Sequence, residues 1–175
     1  FRRVLFRSVG DNGVLLLDAD IEISTKSARA LINALGRPGK EAAIGFMHID
    51  VEGASWPVRS FYKVWSRHPY LSKGKFAAAI ALSSSAVARI GELPPVIADD
   101  TYLRRLFPSE TVAVLDTVSF RARVPRTLAA LIRVRSRVHL GNKELDRSGK
   151  DTHRVPREPM SELFREILRQ IGRAH

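Results

Sequence analysis

The stretch GVLLLDADIEIS, Gly13 to Ser24, decides how the chain folds. Val14 to Leu17 is a short unbroken apolar run, the pattern of a strand covered on both faces. It runs straight into Asp18-Ala19-Asp20, with Glu22 close behind. Carboxylates are costly to bury without partners, so the strand must surface where Asp18 begins. The carboxyl ends of strands are also where open α/β sheets hold their ligands. In extended chain Asp18 and Asp20, two residues apart, emerge on the same side. Two like charges so close repel unless a cation lies beside them. A hard divalent ion, Mg2+ or Mn2+, bound by one or both carboxylates and completed by substrate phosphates, resolves that repulsion. A solvated turn capping the next helix would use the same residues.

Outward from this stretch, strands and helices alternate. Ser24 or Thr25 can cap a helix through Leu35, whose apolar Ala28, Leu31, Ile32 and Leu35 fall at helical spacing, and Gly36-Arg37-Pro38-Gly39 stops it. Ala42 to Ile49 reads as a strand, Trp56 to His68 as an amphipathic helix, and Phe76 to Ser83 as a further strand. Ser83 to Ser85 can cap a short helix closed by Gly91. Asp99 or Asp100 caps a helix through Phe107, TVAVLD and VSFRARV suggest two strands, and Arg126 to about Leu145 a long basic helix. The fold class that follows is α/β, a mixed sheet flanked by helices.

Two further groups of residues carry chemistry. Asp99-Asp100 follows a buried apolar pair at a helix start; capping needs one carboxylate, and the second is free to act as a general base toward a hydroxyl. Arg126, Arg133 and Arg137 stand at i, i+7 and i+11, on one helix face suited to phosphate oxygens. The histidines have no metal-ligand spacing, and Ser83 to Ser85 have no hydrolase pattern around them.

The ends read differently from the middle. FRRVLFRS, Phe1 to Ser8, and Ile171 to His175 back-translate to sequencing-adapter ends, so the natural segment is expected to be about Val9 to Gln170, an internal piece of a longer gene. Residues 9–145 would then be the catalytic part and residues 146–170 an extension with a short amphipathic helix. The whole chain has 29 Lys+Arg, 18 Asp+Glu and a net charge of +11; without Arg2, Arg3, Arg7 and Arg173 the basic count is 25 and the excess +7. A basic balance suits phosphate-bearing ligands, nucleic acid or an anionic membrane surface. With no cysteine there is no disulfide, thiolate metal site or Cys nucleophile. No apolar run approaches the roughly 18 to 20 residues of a membrane-spanning helix.

In this order the motifs resemble the second half of a family-2 glycosyltransferase with the GT-A fold. VLLLDADIEIS resembles that family's strand ending in Asp-X-Asp, GKFAAAIALSSSAVARIGELPPVIADDTYLRRLF its acceptor-side segment ending in an acidic pair, and RVRSRVHLGNKEL its Arg-containing helix. The likeness spans Gly13 to Leu145. It implies an incomplete GT-A sheet and transfer of a sugar from a nucleotide-diphosphate sugar to an acceptor hydroxyl, with inversion, in cell-envelope, polysaccharide or glycolipid synthesis. It implies Asp18 beside the nucleotide, Asp20 and Asp18 at the metal, Asp100 as base, Asp99 orienting the acceptor, and Arg137, with Arg133 nearby, at the diphosphate. Val134 and Val138 stand where the family has Gln and Trp. The acceptor would be a saccharide or lipid-linked, with no nucleic-acid partner, at a cytoplasmic location or the cytoplasmic membrane face with peripheral association of the full-length protein. With the family's first strands missing, nucleotide binding should be weak, the isolated piece inactive, and a sheet edge exposed.

Two other classes share parts of the pattern. Haloacid-dehalogenase-like phosphatases also set Asp-X-Asp after a strand and bind Mg2+, but favour Thr or Val where Glu22 stands. A basic nucleic-acid-binding domain would account for the charge but not for carboxylate pairs or for aromatics kept apart from the Arg stripe.

Overall fold

The computed structural model describes residues 4–7 (backbone path), 13–67, 71, 74, 76–91, 93 and 95–148. The strands are β1 (Val4–Arg7), β2 (Val14–Leu17), β3 (Ile21–Ile23), β4 (Ala42–Asp50), β5 (Ala79–Leu82) and β6 (Val112–Arg123), and the helices α1 (Thr25–Ala34), α2 (Trp56–Trp65), α3 (Ser84–Ile90), α4 (Asp99–Leu106) and α5 (Leu128–Arg147). The strands form one sheet in the order β1-β2-β5-β4-β6-β3. β4 and β6 pair in parallel and the other neighbours antiparallel, so the sheet is mixed and β2, β4 and β6 all point the same way. The protein is thus a mixed α/β fold; five of its strands, β2 to β6, lie from residue 13 onward.

Alternation along β2 explains the layering. Leu15 packs with Leu31, Ala34 and Leu35 around α1, together with Ala43 and Phe120. Leu16, one residue on, points the other way and packs with Phe76, Ile80, Leu103 and Phe107, against α4. Helices therefore cover both faces, as the continuous apolar run requires. Burying each such Leu or Phe contributes roughly 1.5–3 kcal/mol. A third cluster, Ala54, Val58, Tyr62 and Leu131, joins α2 to α5. Arg135 lies over both Phe61 and Trp65 there, 5.7 and 5.6 Å from the ring centroids.

Several expectations are corrected. TVAVLD and VSFRARV form a single strand, β6, interrupted by a change of register: Ile44 faces Val114, but Phe46 faces Ser119. The extra residues of β6 bulge opposite Gly45, which is why two strands were read there. Neither Asp99 nor Asp100 is the cap of α4; that position is Ala98, and both acids lie inside the first turn. The long helix begins at Leu128 behind Thr127, whose Oγ1 accepts the Ala130 N–H at 3.2 Å, so Arg126 falls outside the helix and off the Arg stripe. The helix from Trp56 stops at Trp65; His68 lies outside the described residues. Ile21–Ile23, unforeseen as a strand, pairs with β6. Val4–Arg7 pairs with β2, Val4 facing Leu17 and Arg7 facing Val14. Of the extension expected over residues 146–170 only residues 146–148 are described, and its amphipathic segment lies wholly outside the described residues. The caps at Ser24 and Ser83 and the stop at Gly91 occur as expected.

Gly45 is a point of close approach within the sheet. A Cβ there would lie 2.7 Å from both the Val118 carbonyl oxygen and Cγ1. Gly45→Ala should therefore lower unfolding free energy by about 1–3 kcal/mol through overpacking. Urea denaturation measures it, and an unchanged midpoint would mean that the bulge is slack.

Candidate functional site

The Asp-X-Asp segment leaves β2 in a turn. The Asp18 N–H donates to the Ala78 carbonyl at 2.9 Å, and the Asp18 carbonyl accepts the Ile21 N–H at 3.2 Å. The four residues Asp18 to Ile21 thus make a β-turn instead of the extended chain expected, so the same-side geometry of alternating residues does not apply to this pair. Asp18 is half-buried and Asp20 exposed. Ala78, the partner of Asp18, has φ 68°. A left-handed residue with a Cβ costs roughly 1–2 kcal/mol, held in place by its burial and by the strand pairing that starts at Ala79. Glu22, next along, pairs with Arg123 on β6.

The residues fit a hard divalent cation in donor type. Asp18 and Asp20 offer only oxygen, the donors that Mg2+ and Mn2+ prefer. Among the described residues no group of three or more His, Cys, Asp or Glu stands together as a metal cage. A cation here would take its remaining ligands from water and from phosphate oxygens.

Asp99 and Asp100 open α4, and their carboxylates face the helix start. Asp99 Oδ1 accepts the Asp100 N–H at 2.8 Å, and Asp100 Oδ1 accepts the Thr101 N–H at 2.7 Å. Both therefore satisfy first-turn donors from inside the helix and sit at the favourable end of its dipole. α4 is fastened to α5 along its length: Thr101 Oγ1 donates to Asn142 Oδ1 at 3.1 Å, and Arg105 Nη2 meets Asp146 Oδ1 at 2.7 Å. At Gly141 the helices nearly touch, since a Cβ there would lie 2.8 Å from Ile97 Cγ2 and 3.1 Å from the Ala98 nitrogen.

This contact brings α5 against the acidic pair. Arg137, exposed, lies one turn before Gly141, and Arg133 one turn before that. Val134 and Val138 share the side of α5 that carries Gly141 and the buried Leu145. Even so they remain 42% and 41% exposed. The inner side of α5 is therefore open midway between its contacts with α2 and α4. Ala78 receives Asp18, and Phe76 two residues earlier stacks on Phe107 at the end of α4 away from Asp99 and Asp100, centroids 5.8 Å apart. Arg126 lies elsewhere, beside Gly53, its carbonyl accepting the Ser55 N–H.

Sequence reasoning gave His48 no role. It lies opposite Arg121 on β6, which faces Glu22 on β3, and with Ser24, Ser119 and Arg121 it lines an open depression of about 460 Å3. Its charges already answer one another: Arg121 with Asp50 at 3.7 Å, and Arg123 with Glu22. The alternation of FRAR and MHID was the signal for this polar row. Elsewhere, burial pushes the Tyr62 phenol above its ordinary pKa while Arg135 pulls it down.

No protein-family model, curated protein or solved structure matches the chain.

The α4–α5 joint can be tested at Gly141. Alanine adds roughly 1 kcal/mol of helix propensity. Overpacking against Ile97 and Ala98 should outweigh it, since such insertions cost about 1–3 kcal/mol. Gly141→Ala is therefore expected to lower the thermal midpoint; a rise would show that α5 is not seated on Ala98.

Proposed function

We propose that the protein transfers a sugar from a nucleotide-diphosphate sugar to an acceptor hydroxyl, in the manner of a family-2 glycosyltransferase with a GT-A fold. The observation that carries this reading is the pairing of two acidic sites on one frame. Asp18-Ala19-Asp20 turns out of a buried strand at its carboxyl end, and Asp99-Asp100 open a helix pressed against the Arg-bearing α5. The mixed sheet with helices on both faces is compatible with that fold, and the likeness of three motifs in order supports it.

The roles follow from chemistry. Asp18 and Asp20 hold Mg2+ or Mn2+, which supplies neutralising charge to the donor diphosphate. Asp100 takes the proton from the acceptor hydroxyl, and Asp99 orients that hydroxyl. Arg137, with Arg133 one turn away, steadies the diphosphate as charge builds on it. A base on the face opposite the leaving group implies a single in-line displacement, hence inversion. Val134 and Val138, in place of Gln and Trp, give the acceptor side an apolar wall, so the long processive synthesis associated with that motif is not proposed.

The test uses the full-length protein, in a thermal-shift screen against UDP-, GDP- and dTDP-sugars with and without Mn2+. One donor should raise the midpoint only when metal is present, and Asp20→Asn should remove that gain; occupancy at 100 times Kd is worth about 2.7 kcal/mol. Asp100→Asn should keep the shift while losing about 100- to 10,000-fold in turnover. A folded protein that ignores every donor would overturn this reading in favour of the phosphatase or a binding module, and an aspartyl-phosphate at Asp18 would select the phosphatase.

A further inference from the structure

The side of α5 away from Arg137 and the outer face of α2 carry a feature that sugar transfer does not use. Trp56 is 72% exposed, Ile132 56% and Leu128 47%. The N-termini of the two helices adjoin: Ser55, just before Trp56, donates its N–H to the carbonyl of Arg126 at 2.8 Å, and Leu128 is the first residue of α5. Ile132 stands one turn after Leu128. Arg137 is five residues past Ile132, about 140° further round the helix, so the apolar side chains do not share its face.

Within the two segments that carry them, charge is of one sign. Residues 55–67 contain three basic and no acidic residues, and residues 125–143 five basic and none acidic. On α2, Arg59 and Lys63 are exposed and fall with Trp56 at i, i+3 and i+7, opposite the buried Val58 and Tyr62. Of the acids nearest in sequence, Asp50 is drawn to Arg121 at 3.7 Å and Glu52 lies before α2. Arg135 turns inward, clamping Phe61 and Trp65, which fixes α2 on α5 and leaves the outer side chains exposed.

From this juxtaposition we infer that the α2–α5 corner docks on an anionic lipid bilayer, with Trp56, Leu128 and Ile132 entering the headgroup layer and Arg59 and Lys63 meeting lipid phosphates. Large apolar side chains beside Lys and Arg, with no acidic residue among them, match both halves of an interfacial membrane contact. Tryptophan suits the boundary because its ring is amphipathic. A nucleic acid would use the cations but leave Leu128 and Ile132 in water. The inference extends the expected peripheral association by assigning it a surface, and it does not depend on transfer chemistry.

Flotation of the 175-residue chain with vesicles of phosphatidylcholine, with or without phosphatidylglycerol, tests it at low and high salt. Binding is expected only with phosphatidylglycerol and should weaken in salt. Arg59→Gln with Lys63→Gln should reduce it roughly thirtyfold, taking about fivefold per charge. Trp56→Ser with Ile132→Ser should reduce it on the order of tenfold. All four side chains are exposed, so unchanged circular dichroism and thermal midpoint should accompany these losses. Absence of vesicle binding overturns the inference, as does binding indifferent to Trp56 and Ile132. Self-association lost in the Trp56 and Ile132 variant, without vesicle binding, would assign the surface to a second copy of the chain and equally overturn it.

Discussion

The hydrogen bond from the Asp18 amide to the Ala78 carbonyl closes the β2–β5 pairing, and the site depends on it. Leu17 faces Ala79 in that ladder, so Asp18 is the first residue of β2 released from it. The chain then turns back to Ile21 and joins β3 to β6, three strands away from β5 in the sheet order. Ala78 accepts a left-handed conformation to make the bond. Such strain persists only where surroundings fix it, and here burial on both sides does so. The carboxylates thus stand on a rigid support at the edge of the core.

A second constraint, close approach, places the other acidic pair. Gly141 lets α5 come down on Ile97 and Ala98, and the Thr101–Asn142 and Arg105–Asp146 contacts hold that register along the two helices. The same approach leaves Val134 and Val138 half-covered, giving α5 an open inner face next to the first turn of α4. On the outer side, the Arg135 clamp orders α2 without consuming Trp56, Leu128 or Ile132. One helix thereby packs on both α2 and α4 while keeping exposed apolar side chains on two of its sides.

Much of the fold was legible because its signals are local. The VLLL run gave a strand covered on both faces, and Ser24, Ser83 and Gly91 marked helix ends through their own side chains or backbone. What escaped depends on partners distant in sequence. The union of TVAVLD and VSFRARV comes from β4 running alongside and from the space at Gly45. The turn at Asp18 is tied to Ala78, sixty residues away, so the extended chain expected for Asp-X-Asp gives way to a turn that its local sequence does not announce. Asp99 and Asp100 were legible as a helix start but not as first-turn residues, since the cap position falls to Ala98, which has no side-chain cap to announce it. The His48–Arg121–Glu22 row needed three strands in register.

The central claim is that Asp18 and Asp20 jointly hold a metal–diphosphate. Electron paramagnetic resonance of Mn2+, titrated into the full-length protein in the presence of UDP, GDP or dTDP, measures this directly. The account predicts that one diphosphate strengthens Mn2+ capture by at least tenfold and that Asp18→Asn or Asp20→Asn each abolish the gain, a tenfold change being about 1.4 kcal/mol. Capture that is indifferent to the diphosphate, or unchanged when both carboxylates are removed, would contradict it.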